Sequence, residues 1–124
     1  MRTPVTSPSA TAVGPYSHGI DSGGVVYCSG QTPIDPATGA LAAGGIGAQT
    51  SQCFENLFAV LAAAELGPEH VVKVNVFLTD MNDFEAMNEV YATRFAEPFP
   101  SRTTIGVASL PLGSNIEIEL IAQR

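Results

Sequence analysis

The chain holds only five Lys and Arg residues: Arg2, Lys73, Arg94, Arg102 and Arg124. Arg102 opens the β-branched run RTTIGV, which reads as a buried strand. A guanidinium there must have a partner, because burying it unpaired is costly. Its planar fork matches a carboxylate through two parallel hydrogen bonds. Further on, the alternating segment NIEIELIAQ places Glu117 and Glu119 on one side. Two chemistries are compatible with this set. Arg102 could form a structural ion pair with Glu117 or Glu119, or sit as a charge at a subunit seam. Alternatively, it could bind the carboxylate of a small acid while one glutamate holds or activates a water. The scarcity of other cations raises the ligand site, with the structural ion pair still the favoured reading of the residues alone.

Other residues have a plain and a functional reading. Tyr16 follows Gly14-Pro15, as a packed turn aromatic or as a pocket wall. Ser29-Gly30 ends an apolar run, either as a turn or as a place where a ligand approaches the backbone closely. Asn88, in AMNEVY, is an exposed helix position or a hydrogen-bond donor to a neighbouring loop. Cys28 and Cys53 form no CxxC pair and read as small core hydrophobes. His18 and His70 lie far apart without metal-ligand spacing, so no metal site is expected.

The elements that must position these residues follow from periodicity. Residues 1–13 read as an extended lead-in, and GPYSHGI as a turn. GGVVYCSG reads as a buried strand and TPIDPATG as a turn-rich loop. Apolar residues at three- and four-residue spacing predict a helix over 48–66, stopped by a positive-φ Gly67 and Pro68. VVKVNVFLT alternates as a strand, with Val72, Val74, Val76 and Leu78 on one face. Asn82 and Glu85 have capping-box spacing for a second helix over 82–95, with Phe84, Met87, Tyr91 and Phe95 on one face. Strands at 102–107 and 115–123 flank a turn at 110–114. The order is one or two strands, helix, strand, helix, strand, strand. This is an α+β domain with a mixed sheet and two helices packed on one face. The uncovered face should carry Lys73, Phe77, Glu117, Glu119 and Arg102 and be buried against another subunit.

Composition bounds the function. The 124 residues, 45% hydrophobic and 14% charged, fit one compact domain over 1–124 whose apolar balance suggests an oligomer. A net charge of −7 without any Lys/Arg cluster opposes binding to nucleic acid or to an anionic membrane. No transmembrane run or export signal is visible, so two free thiols in a reducing, cytoplasmic setting are expected. No catalytic triad, phosphate loop, dinucleotide fingerprint or zinc motif is present.

Several linked segments resemble the RidA/YjgF family of reactive-intermediate deaminases, over nearly the whole chain. They are GPYSHGI, YCSGQTPIDPATG, VVKVNVFLTDMNDFEAMNEVYATRF and PSRTTIGVASLPLGSNIEIE, the last matching the family signature from Arg to the I-E-I triplet. The resemblance implies a chorismate-mutase-like fold, a homotrimer, and active sites in clefts between subunits. It also implies cofactor- and metal-independent hydrolysis of enamines and imines such as 2-aminoacrylate and 2-iminopropanoate to 2-keto acids and ammonia. Arg102 would clamp the substrate carboxylate and Glu117 would position the attacking water, ahead of Glu119. Tyr16, Ser29, Gly30 and Asn88 would line or support the pocket. Thr104 stands where many deaminases of the family carry Cys. A ribonuclease or translation inhibitor, or a noncatalytic trimer binding small carboxylates or a protein partner, are the alternative functions.

Overall fold

A computed structural model describes residues 1–8 and 14–124; the lead-in expected at 9–13 lies outside the described residues. Ten elements run in chain order: β1 (Thr3–Val5), β2 (Gly19–Ser22), β3 (Val25–Gln31), β4 (Ile34–Asp35), β5 (Ala40–Leu41), α1 (Ile46–Ala63), β6 (Val71–Leu78), α2 (Phe84–Arg94), β7 (Ser101–Gly106) and β8 (Ile116–Gln123). The main sheet has the order β1-β2-β3-β8-β6-β7, and β4 and β5 form a separate small hairpin. Only β6 and β7 pair in parallel, so the sheet is mixed. That pair needs a crossover, which α2 supplies.

Both helices lie on one sheet face, as expected. Val26, Val74, Val76, Ile118 and Leu120 meet Phe54, Leu57 and Leu61 of α1 and Met87 of α2 in one buried core. Between the helices, Phe54 makes edge-on contacts with Tyr91 and Phe95, at centroid distances of 5.7 and 5.6 Å. Such contacts add to the area they bury. Cys28 and Cys53 are free and buried in this core. Burial pushes the Cys28 thiol up to about 12. It pushes Cys53 further still, with the Glu117 charge adding to the effect.

Several local expectations change. The segments read as lead-in and turn contain β1 and β2, which pair with each other and extend the sheet through β3. These short strands have too little alternation to announce themselves; pairing defines them. The proline-rich loop includes the β4–β5 hairpin. Helix α1 stops earlier than expected, and Glu65, not Gly67, takes the positive φ of 60°. The N–H of Leu66 bonds to the Leu61 carbonyl and that of Glu65 to the Ala62 carbonyl, which is the pattern of a helix end closed by a left-handed residue. Val72 is exposed, not buried. β6 gains one residue against β8 between Val71 and Lys73, and that bulge shifts Val72 out of the alternation. The Asn82–Glu85 capping box does not form: Asp80 Oδ1 instead accepts from the Asn82 N–H at 2.9 Å. Finally, β7 is an edge strand and half-exposed, with Ile105 45% accessible. It looks buried in sequence because β-branched residues suit either setting.

Candidate active site

Arg102 lies on the face opposite to the one expected. In the parallel register it pairs with Val74, which is fully buried under the helices, and Thr104 pairs with Val76. Both side chains of β7 therefore belong to the helix-covered face. Neither Glu117 nor Glu119 contacts the guanidinium, which removes the structural ion pair. Its Nη1 instead donates to Asn88 Oδ1 at 2.7 Å. Asn88 thus acts as an acceptor to Arg102, and not as a donor to a loop. Cζ sits over the Tyr91 ring at 4.6 Å and near the Phe84 ring at 5.6 Å. Beside it opens a cavity of about 320 Å³, walled by Tyr91, Ala92, Phe99 and Pro100, with Arg102 and Asn88 as its polar lining. Thr104 does not line it, and its buried Oγ1 has no hydrogen-bond partner among the described residues. A cation against apolar walls suits a small organic anion with an aliphatic tail.

The second group of residues is on the open face. β8 alternates, so Ile116, Ile118 and Leu120 fill the core while Glu117 and Glu119 point away from it. The two glutamates differ in engagement. Asn75 Nδ2 donates to Glu119 Oε2 at 2.9 Å. No side-chain hydrogen bond or ion pair involves the Glu117 carboxylate among the described residues. Partial burial and the charge of Glu119 raise its carboxyl above the ordinary range.

A bulge shapes the backbone next to Glu117. Cys28 pairs with Leu120 and Gln31 with Ile118, so Ser29 and Gly30 together face Glu119. A Cβ on Gly30 would lie 2.7 Å from Glu117 Oε2, so only glycine leaves this carboxylate in place. Ser29 Oγ donates to the Ser17 carbonyl at 2.6 Å, and the Ser29 N–H bonds to the His18 carbonyl. These bonds tie the bulge to the segment bearing Tyr16, whose ring is 46% exposed.

Helix α1 fixes the far side of the bulge through residues that sequence reasoning missed or undervalued. Cys53 Sγ donates to the Gln31 carbonyl at 3.2 Å. Asn56 Nδ2 donates to the Ile34 carbonyl at 2.9 Å, and Gln52 Nε2 donates to Asn56 Oδ1 at 3.0 Å. The detectable signal for Asn56 was an amide beside the apolar stripe of Cys53, Leu57, Val60 and Leu61. Tyr91 and Phe84 were read only as the apolar face of α2.

The candidates therefore fall into two groups within one chain. Arg102, Asn88 and Thr104 lie on the helix side of the β7 edge. Glu117, Gly30, Ser29 and Tyr16 lie around the β3–β8 seam. No His/Cys/Asp/Glu cluster suited to a metal is found among the described residues. No helix among them is long and apolar enough to cross a membrane.

A mixed sheet under two helices, with the Arg102 guanidinium at its edge and Glu117 on its open face, defines a small α+β fold. A family model described as Endoribonuclease L-PSP matches residues 6–124. The chain is 44% identical over 126 residues to the 2-iminobutanoate/2-iminopropanoate deaminase of Salmonella typhimurium, spanning 99% of this chain and 98% of that protein. It is 43% identical over 117 residues to the Mus musculus protein of the same name, spanning 94% and 87%. The crystal structure of E. coli TdcF with bound serine matches with a TM-score of 0.90 at 41% identity, covering 96% of this chain and 95% of that one. The chain belongs to the RidA/YjgF family, and its sheet with two packed helices is the fold of that family.

Proposed function

We propose that the chain, acting as one domain over 1–124, is a metal-independent deaminase that hydrolyses 2-imino acids and their enamine tautomers. Substrates are 2-aminoacrylate, 2-iminopropanoate and 2-iminobutanoate. The observation that carries this reading is a guanidinium with no carboxylate partner among the described residues, alongside a glutamate whose carboxylate has no side-chain partner among them. Family membership and the names of the Salmonella and mouse relatives support it.

Because the two groups lie on different faces, one chain does not close the site. A homotrimer with clefts between subunits would bring Arg102, Asn88 and Thr104 of one copy to Glu117, Gly30, Ser29 and Tyr16 of the next. The open sheet face, with Tyr27 49% exposed and Phe77 beside Glu117, supplies apolar area for that packing. Arg102 binds the carboxylate and so fixes the C=N carbon in space. Glu117 takes a proton from water as its oxygen bonds to that carbon, and the proton passes to nitrogen. The hydroxyl of this adduct then gives its proton to nitrogen by way of the same carboxylate as the C–N bond breaks, releasing ammonia and leaving the 2-keto acid. Imines hydrolyse readily in water, so orientation and one proton relay are sufficient work for the site.

An amino-acid oxidase generating imines in situ tests this reading. Keto-acid release faster than in buffer is expected, and lost in Arg102→Ala; a wild-type rate equal to buffer refutes it. A ribonuclease reading lacks support in the charge pattern. Arg124 is paired with Asp21, Lys73 bonds Thr103 and Arg94 bonds Ser51, so these cations do not gather into a phosphate-binding patch.

A further inference from the structure

Among the described residues, no opposing charge pairs with Arg102. A half-buried guanidinium commonly rests on a carboxylate of its own chain. Here its polar neighbour is the Asn88 amide, and a weak contact runs from Nη1 to Met87 Sδ at 4.0 Å. The larger share of its surroundings is aromatic, with Tyr91 under Cζ and Phe84 farther out. This division matters because a guanidinium has two distinct surfaces. Its faces are attracted to the negative face of a ring, while its five N–H donors lie along the edge, in the plane. A carboxylate from the protein would consume edge donors and neutralise the charge. A ring under the face does neither.

We infer that Tyr91 is a positioning residue for the reaction: its ring holds the Arg102 guanidinium by the face and leaves the edge for a substrate carboxylate. This rests on the proposed role of Arg102 as the carboxylate clamp. The ring itself is fixed, being 5% exposed and wedged against Phe54 and Phe95. Its hydroxyl is buried without a hydrogen-bond partner among the described residues, so the phenol oxygen contributes nothing to holding Arg102. Burial also raises the phenol above its ordinary range, against the smaller opposing effect of Arg102, so the ring stays neutral at working pH.

Substrate and transition state carry the same carboxylate, so a loosened clamp should raise KM more than it lowers kcat. The test compares Tyr91→Phe and Tyr91→Leu in the coupled imine assay and in calorimetric titration with 2-ketobutyrate. Tyr91→Phe should keep KM and Kd within about 2-fold of wild type. Tyr91→Leu should raise both by about 2- to 30-fold, the span of a cation–π contact, with a smaller change in kcat. Phe84→Leu, at the longer distance, should move both in the same direction by less, and serves if Tyr91→Leu does not fold. A folded Tyr91→Leu variant with wild-type KM and Kd, or a Tyr91→Phe variant as impaired as Tyr91→Leu, overturns the inference. Ring-dependent 2-ketobutyrate binding without imine turnover would refute the deaminase reading and leave the Tyr91 role standing. Undiminished binding in Arg102→Ala would refute both.

Discussion

Gly30 and Glu117 share one space: the carboxylate of Glu117 occupies the place where a side chain on residue 30 would begin. Gly30→Ala should therefore push Glu117 away from its position while leaving the Arg102 clamp intact. The expected result is a fall in kcat of at least about 10-fold, in line with the loss of a positioned general base, with 2-ketobutyrate affinity little changed. Steady-state kinetics and titration on the same preparation check it; an equal loss of binding would place the damage elsewhere.

Arg102→Lys should not substitute for Arg102. Lysine keeps the charge and loses the fork, so a KM increase of about 10-fold or more is expected despite the retained cation. Asn88→Ala frees one edge of the guanidinium and should cost less, about 1 kcal/mol in kcat/KM. Equal kinetics for all three proteins would show that the carboxylate binds elsewhere.

On the proposed role of Glu117, its raised carboxyl should set the acid limb of the activity profile. The carboxylate is the working form, so kcat/KM should rise with pH through a midpoint above the usual carboxylate value, and Glu117→Gln should lose both activity and that limb. Stability moves the other way. With the folded carboxyl above its unfolded value, the folded state holds the proton more tightly, and stability falls as pH rises through the interval between the two. Glu117→Gln should remove that decline, giving a Tm at pH 7 equal to or above wild type. A lower Tm at pH 7 would contradict it.

Sites divided between copies can be repaired by mixing. Refolding Arg102→Ala together with Glu117→Gln, each inactive alone, should return about a quarter of wild-type activity, because random trimers unite two intact halves in that share of clefts. Absence of recovery in verified mixed trimers would argue for a site within one chain.

Glu65 bears the cost of a left-handed backbone at the end of α1. Glu65→Gly should stabilise the protein by about 0.5–1 kcal/mol, read as a rise in Tm, with unchanged kinetics.

The parts visible in the sequence and the parts hidden from it differ by range of interaction. β8 was legible because Ile116 to Ala122 alternate strictly, and α1 because its apolar spacing is regular. The placement of Arg102 was not legible. Its face depends on which residue of β6 it pairs with, and Val74 rather than a neighbour is fixed only by tertiary register. The bulges at Ser29-Gly30 and Val72 likewise arise from one extra residue between two strands, which neither strand records alone. The resemblance pointed to Arg102 and Glu117 together, while the structure shows why a single copy keeps them apart.

The core holds two free sulfhydryls, Cys28 and Cys53. Imines are electrophiles, and a thiolate is the nucleophile most able to trap one. With Cys28 and Cys53 out of solvent and held as thiols well above neutral pH, the protein offers no reactive sulfur to the compounds proposed to pass through its clefts. Imines handled in the proposed clefts would therefore meet no thiolate from these two cysteines.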